Sequence, residues 1–92
     1  MESLRHPNIV LFLGACTKYP NLAIVLEYCA NKSLWSVLQN KAIQLSWEER
    51  IRISLEIAKG MNYLHCQKIP IIHRDLKSLN VLVDDCFRIK IA

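Results

Sequence analysis

Hydrophobic residues of the β-forming type fall in two runs near the start of the chain. These runs cover residues 9–16 and 22–28. The loop between them, residues 17–21, contains proline and asparagine, which favour turns. The pattern predicts two antiparallel strands joined as a hairpin.

A short helix is expected after these strands. Residues 29–32 break the strand pattern, and the Ser33 that follows is a residue type that caps helices. Three apolar residues then share one face of the predicted helix: Leu34, Val37 and Leu38.

The strongest helical pattern begins at Ser46 and is expected to run to about Gln67. Ser46 and Glu49 have the spacing of a capping box, in which each side chain bonds the other residue's amide. We expect a buried stripe of Ile51, Leu55, Ala58 and Leu64, with Trp47 and Met61 at its edges. The other faces carry Glu48, Glu49, Arg52, Glu56 and Lys59. Gly60 costs helix stability, so we expect close packing there.

A second hairpin closes the chain. Pro70 ends the helical register, and two short apolar runs follow at residues 81–83 and 87–91. Three residues, Asp84 to Cys86, form the turn between them. Two hairpins with helices between them predict an α+β fold.

Composition narrows the class of protein. The chain has 92 residues, 52% of them hydrophobic and 22% charged, which fits one small globular domain. Its net charge of +4 is scattered, so no nucleic-acid partner is expected. The four cysteines form no metal-binding pair, which indicates free thiols and a reducing, cytoplasmic location. The longest apolar run, residues 9–16, is shorter than the roughly 20 residues of a membrane span.

The residues with the clearest chemistry lie between the long helix and the last hairpin. Residues 73–80 read His-Arg-Asp-Leu-Lys-Ser-Leu-Asn. Asp75 is placed to take a proton from a substrate hydroxyl, Lys77 to offset phosphoryl charge, and Asn80 to bind Mg²⁺. Taken singly, each has a simpler interpretation: a turn cap, a solvated cation and the start of a strand.

Together with their surroundings these residues resemble the middle of a eukaryotic protein kinase domain. Residues 4–10, 26–29 and 58–65 match, in order, the start of the fourth strand, the hinge and the helix before the catalytic loop. The resemblance implies a partial protein-kinase fold across residues 1–92. The N-lobe strands would be residues 1–28, the hinge 27–32, and the beginning of the C-lobe 33–92, with the catalytic loop at 73–80.

The resemblance also implies a nucleotide site for ATP with Mg²⁺. Leu26 would be the gatekeeper, the backbone of Glu27 and Cys29 would bond the adenine edge, and Leu82 would lie beneath the purine. From the pattern alone, these are an ordinary strand end and an ordinary core leucine.

Two further residues of the loop would have supporting roles in such a domain. His73 would join Phe12 in a buried stack across the two lobes. Arg74 would pair with a phosphate on the activation loop, although a solvated arginine is an equally simple interpretation.

Lys77 is typical of serine/threonine kinases, so the expected partner is a protein substrate that offers a Ser or Thr hydroxyl. Residues 12–16 and 70–80 are most similar to the tyrosine-kinase-like group, including Raf-like kinases and MAP-kinase-kinase-kinase relatives. Dual-specificity or tyrosine kinase activity is the alternative within this family.

Several parts of a complete kinase have no counterpart in the sequence. With glycine only at positions 14 and 60, there is no phosphate-binding glycine loop, and the strand lysine, the Asp-Phe-Gly motif and the activation segment are also missing. We therefore expect a truncated stretch of a kinase that is inactive alone. A non-catalytic binding or scaffold module derived from a kinase and, on charge alone, a basic nucleic-acid binder are the alternatives.

Overall fold

Two hairpins flank two helices in the computed structural model of the chain, which describes residues 4–92. Residues 1–3, the start of the predicted N-lobe segment, lie outside the described residues. The elements in order are β1 Phe12–Cys16, β2 Ala23–Leu26, α1 Leu34–Gln39, α2 Trp47–His65, a 3₁₀ turn Ser78–Asn80, β3 Val81–Val83 and β4 Ile89–Ile91. This arrangement confirms the α+β class.

β1 and β2 pair antiparallel, as predicted, but both are shorter than the apolar runs. The residues before β1 pair with a different strand: Val10 N–H donates to the Ile91 carbonyl at 2.9 Å, and Ile91 N–H donates to the Asn8 carbonyl at 2.8 Å. The first apolar run therefore serves two sheets, since its beginning joins β4 and its end joins β2.

Ser33 caps α1 as predicted, because its hydroxyl accepts the Ser36 N–H at 3.1 Å. Leu34 and Val37 are buried against β3, Ile53 and Ile89. Leu38, the third apolar residue of this predicted face, is 51% exposed. It lies one position, about 100° of helix rotation, beyond Val37, which turns it away from the core.

The capping box of α2 is confirmed. Ser46 Oγ accepts the Glu49 N–H at 3.1 Å, and Glu49 Oε1 accepts the Ser46 N–H at 3.3 Å. The helix ends at His65, slightly before the predicted Gln67.

The predicted buried face of α2 was largely wrong. Trp47, Ile51 and Leu55 are exposed, and so is Ala58; the residues buried on this helix are Ile53, Glu56, Gly60 and Leu64. The helix carries two stripes of non-polar residues with helical spacing. One contains Ile51, Leu55 and Ala58; the other contains Ile53, Gly60 and Leu64 and faces the core. Gly60 explains the choice, because only at the glycine can another segment approach the helix axis closely.

That close approach was predicted and is confirmed. A Cβ on Gly60 would lie 2.8 Å from Ile91 Cδ1 and 2.9 Å from the Asn8 carbonyl oxygen. Ile9, Leu64 and Ile91 form one buried cluster here, and a second cluster contains Leu34, Val37, Ile53, Val81, Val83 and Ile89. β4 contributes to both, so it joins the two parts of the core.

The closing hairpin is antiparallel, with Leu82 opposite Lys90. β4 begins at Ile89 rather than at the predicted residue 87, since Phe87 has a left-handed backbone with φ of 61°. The Asp84 carboxylate closes the turn by accepting the N–H groups of Cys86 and Arg88. All four cysteines are free thiols, as predicted. None of the helices described between residues 4 and 92 is long and apolar enough to cross a membrane.

Candidate active site

The polar loop at residues 73–80 is held between the end of α2 and the start of β3. Ile71 N–H donates to the Leu64 carbonyl at 3.0 Å, which ties the loop back to the helix. Arg74 then has a left-handed backbone with φ of 72°. A non-glycine residue in this region is uncommon and costs backbone energy, and such residues concentrate at functional sites.

The loop brings together the three residues predicted to carry the chemistry. Asn80 Nδ2 donates to the Asp75 carbonyl at 2.9 Å and to Asp75 Oδ2 at 3.0 Å. Lys77 Nζ lies 3.6 Å from the other carboxylate oxygen, Oδ1. Asn80 closes the 3₁₀ turn that begins at Ser78, and this turn bends the chain so that Asn80 faces Asp75.

The carboxylate of Asp75 is open to solvent. Its side chain is 65% exposed and that of Lys77 is 52% exposed. A carboxylate has room for about four hydrogen bonds. Asp75 can therefore accept a hydrogen bond from a hydroxyl group, or its proton, while it keeps its hydrogen bond from Asn80. The molecule that carries the hydroxyl would approach from the solvent side.

His73 connects this loop to the residue after β4. Its Nδ1 accepts the Asp75 N–H at 3.2 Å, and its Nε2 lies 2.6 Å from the Ala92 carbonyl oxygen. A neutral imidazole has one donor and one acceptor nitrogen, so this pattern assigns the proton to Nε2. Ala92 N–H in turn donates to the Asn80 carbonyl at 2.8 Å. His73 and Asn80 thus hold the backbone of Ala92 from two sides.

Asn80 has the chemistry of a Mg²⁺ ligand. Both side-chain hydrogen bonds that it makes within residues 4–92 come from its amide nitrogen. Its amide oxygen is left for another partner, and Mg²⁺ prefers oxygen ligands. The side chains of Asp84, Asp85 and Cys86 also lie close together, but one oxygen of Asp84 is already used to close the hairpin turn.

The predicted hinge, residues 27–32, begins at a cluster of polar contacts. Glu27 Oε1 accepts the Leu11 N–H at 2.8 Å and pairs with Lys90 Nζ at 3.1 Å. Glu27 N–H donates to the Leu11 carbonyl at 2.9 Å. Both side chains of the ion pair are largely buried, with 25% of Glu27 and 18% of Lys90 exposed.

The far end of the predicted hinge pairs with β3. Asn31 N–H donates to the Val83 carbonyl at 2.9 Å, and Val83 N–H donates to the Lys32 carbonyl at 2.7 Å. Ser33 forms an antiparallel bridge with Leu82, which places this half-buried leucine beside the hinge. Between the two ends, Cys29 is buried, and burial, followed by the nearby Glu27 carboxylate, raises the pKa of its thiol.

Leu26 lies at the mouth of a cavity. It is 43% exposed and lines an apolar cavity of about 290 Å³ together with Val10, Leu64, His73 and Ala92, among others. Leu82 does not line this cavity.

The predicted burial of Phe12 was wrong, since it is 43% exposed. β2 is the only described neighbour of β1, and a two-stranded ribbon cannot cover both of its own faces.

Some contacts of this region were not anticipated. Lys90 lies between two buried isoleucines of β4. Because side chains of a strand alternate between its two faces, this position was the one sequence signal that Lys90 points away from the core. The role of the Ala92 carbonyl carries no sequence signal, because any residue has one. Arg74, whose side chain is exposed, makes no ion pair within the described part of the chain.

The sequence model for the family described as "Protein tyrosine and serine/threonine kinase" matches residues 1–92. The chain is 51% identical over 92 residues to the probable serine/threonine-protein kinase drkC of Dictyostelium discoideum, covering 100% of the chain and 12% of that protein. It is 52% identical over 94 residues to the serine/threonine-protein kinase CTR1 of Arabidopsis thaliana, covering 100% of the chain and 11% of that protein. The chain thus spans about a tenth of the length of these relatives.

Proposed function

Because this chain belongs to the protein tyrosine and serine/threonine kinase family, we propose that it supplies the hinge and the catalytic loop of an enzyme that phosphorylates proteins. The reaction transfers the γ-phosphoryl group of ATP to Ser or Thr hydroxyls. The convergence of Asp75, Lys77 and Asn80 within hydrogen-bond or ion-pair distance carries this proposal.

In this proposal Asp75 is the general base. Its exposed carboxylate accepts the proton of the substrate hydroxyl as the oxygen attacks the γ-phosphorus and the bond to the β-phosphate oxygen breaks. The bond from Asn80 Nδ2 to Oδ2 holds the carboxylate in one orientation. Positioning of this kind supplies much of the catalysis in phosphoryl transfer, since the protein forms no covalent intermediate.

Lys77 and Asn80 manage charge. The ammonium of Lys77, 3.6 Å from Asp75 Oδ1, lies close to where the transferred group would pass. The free amide oxygen of Asn80 would hold Mg²⁺, which neutralises charge on the phosphate oxygens when bound. A complete kinase domain also supplies a glycine-rich loop, a phosphate-binding lysine and a second metal ligand.

The remaining predicted residues are assigned to ATP and to regulation. We assign the adenine edge to the backbone of Glu27 and Cys29, and the surfaces around the purine to Leu26 and Leu82. We assign Arg74 to a phosphate that switches the enzyme on, and His73 to the support of the loop. Two observations favour Ser and Thr over Tyr as acceptors, namely Lys77 and the names of the relatives, which are serine/threonine-protein kinases. The free thiols favour a cytoplasmic location.

The proposal is tested with the full-length product of the gene. The purified protein, incubated with ATP, Mg²⁺ and a generic protein substrate, should incorporate phosphate into Ser and Thr. An Asp75→Asn variant should lose nearly all of this activity. Phosphotyrosine as the main product would contradict the acceptor assignment, and equal incorporation by the variant would contradict the role of Asp75.

A further inference from the structure

One carboxylate oxygen joins three parts of the chain. Glu27 Oε1 accepts both the Leu11 N–H at 2.8 Å and a proton of Lys90 Nζ at 3.1 Å. Leu11 precedes β1, Glu27 follows β2 and Lys90 lies in β4. This side chain, at the start of the predicted hinge, therefore adds to the backbone bonds of Asn8 and Val10 with Ile91 in fastening the first hairpin to the last one.

The end of the hinge is fastened to the same hairpin by its backbone. Asn31 and Lys32 exchange hydrogen bonds with Val83 of β3, and Asn31 Nδ2 donates to the Asp84 carbonyl at 2.7 Å. Residues 28–30 therefore span two attachment points on the β3–β4 hairpin. The attachment at Glu27 depends on the charges of two side chains. The backbone bonds of Asn31 and Lys32 would form with many other side chains at these positions.

We propose that the Glu27–Lys90 ion pair positions the hinge for ATP, so that it sets nucleotide affinity without touching the nucleotide. This inference rests on the proposed function, which assigns the adenine edge to the backbone of Glu27 and Cys29. A hydrogen bond to adenine requires a fixed direction of that backbone. The ion pair supports this direction, beside the bond from Glu27 N–H to the Leu11 carbonyl, at the end of the segment where β3 makes no backbone bond.

The two bonds to Glu27 Oε1 have separable effects. The bond from Leu11 keeps the strand end in register and needs only a neutral acceptor. The bond from Lys90 links the hinge to β4 and needs the charge. No other carboxylate within residues 4–92 lies within 4 Å of the Lys90 ammonium, and its side chain is only 18% exposed. Because the Lys90 ammonium is partly buried, leaving its carboxylate partner would be costly, and the ion pair therefore keeps the Glu27 and Lys90 side chains in one arrangement.

The test compares five variants of the full-length protein, four at the ion pair and one control. Glu27→Gln keeps an acceptor for Leu11 and removes the charge, and Lys90→Met removes the cation and keeps the stem. Each should raise the dissociation constant and the KM for ATP by about two- to tenfold, the range expected for a partly buried ion pair. The turnover number and the KM for the protein substrate should change less than the KM for ATP. Lys90→Arg, which keeps the pair, should remain near wild type.

The fourth variant combines Glu27→Gln with Lys90→Met. If the two residues act through one contact, the double variant should bind ATP no more weakly than the worse single variant. Arg88→Gln is the matched control, since it removes a cation from the same hairpin that pairs with Glu56 rather than with the hinge. It should leave ATP affinity unchanged. Melting curves identify any variant that loses its fold, and the nearly isosteric Glu27→Gln then carries the test.

The outcomes separate this inference from the proposed function. Unchanged ATP affinity in folded Glu27→Gln and Lys90→Met, or losses that add in the double variant, would overturn the ion pair's role while leaving the kinase assignment intact. A wild-type protein that binds ATP but transfers no phosphate would overturn the proposed function, and the affinities would still test the ion pair. A wild-type protein that binds no ATP would overturn both.

Discussion

Asn80 donates two hydrogen bonds to Asp75 through one amide nitrogen, at 2.9 Å to the backbone carbonyl and at 3.0 Å to Oδ2. The five-residue separation of the pair is bridged by the 3₁₀ turn at Ser78–Asn80. This contact orients the proposed base and, at the same time, points the amide oxygen of Asn80 away from it. The Asn80 side chain can therefore orient Asp75 through its nitrogen and bind Mg²⁺ through its oxygen.

The first prediction concerns the base. Asp75→Asn should lower the turnover number by about 10²- to 10⁴-fold, because the amide cannot accept the proton of the substrate hydroxyl. ATP affinity should change little. Asp85→Asn, an equally conservative change at an exposed turn residue, is the control and should be nearly as active as wild type. Steady-state kinetics of the full-length protein measure both, and comparable losses in the two variants would remove the special role of Asp75.

The second prediction concerns Mg²⁺. Asn80→Ala should raise the Mg²⁺ concentration required for half-maximal activity, since it removes the amide oxygen proposed as a ligand. It also removes both hydrogen bonds to Asp75, so the turnover number should fall as well. Asn80→Asp keeps an oxygen ligand and should retain more of the Mg²⁺ response than the alanine variant. A Mg²⁺ requirement that is identical in wild type and Asn80→Ala would contradict the assignment.

The third prediction uses the two glycines. Gly60→Ala should destabilise the domain by about 1–3 kcal/mol, because the new methyl group would overlap the Asn8 carbonyl, which is backbone and cannot move aside cheaply. In an open helix the same change would stabilise by about 1 kcal/mol. Gly14→Ala is the control, since nothing lies within 4 Å of the added Cβ. Thermal unfolding of the full-length variants measures the difference, and an unchanged or higher midpoint for Gly60→Ala would contradict the packing.

The fourth prediction concerns the buried acid of α2. Glu56 is 7% exposed and its carboxylate contacts Asn8 Nδ2 at 3.3 Å, Arg52 Nη1, and Arg88 Nη1 at 3.7 Å. Glu56→Gln should cost about 1–3 kcal/mol of unfolding free energy, because the amide has one acceptor oxygen instead of two and no charge to pair with Arg52 and Arg88. The exposed Glu48→Gln should cost less than about 1 kcal/mol. Denaturant unfolding compares the two, and equal costs would show that the network adds nothing to stability.

The fifth prediction follows from the raised pKa of Cys29. Its thiol is buried, so at neutral pH iodoacetamide should label Cys16, Cys66 and Cys86 first. Because the native state holds this proton more tightly than the unfolded chain, the associated stability is complete below the ordinary thiol pKa and is lost as the pH rises through the raised one. Unfolding measured across the alkaline range should therefore show a slope that Cys29→Ala reduces. Labelling of Cys29 as fast as the other three would contradict its burial.

Features set by neighbouring residues could be predicted from the sequence. Both helix caps are local, since Ser33 bonds Ser36 and Ser46 bonds Glu49. The candidate site could be predicted for the same reason, because Asp75, Lys77 and Asn80 lie within one short loop. The family resemblance that these residues carried is confirmed by the match across residues 1–92.

Features set by distant residues could not be predicted. The helical pattern of α2 allowed two apolar faces, and the approach of Asn8 and Ile91 to Gly60 decided between them. Glu56 was assigned to a polar face because its partners Asn8 and Arg88 lie far away in sequence. The Glu27–Lys90 pair spans 63 residues, which no local pattern reveals.

The pairing of Asn8 and Val10 with β4 also has a consequence during synthesis. Asn8 Nδ2 donates to the Ile89 carbonyl across 81 residues, and Ile89 and Ile91 are almost completely buried. The ribosome adds roughly 5–20 residues per second, so Ile9 and its neighbours wait on the order of 10 seconds for the strand that covers them. Throughout that time an apolar segment is open to wrong partners on other nascent chains. We therefore expect the yield of folded protein to depend on translation speed and chaperone supply.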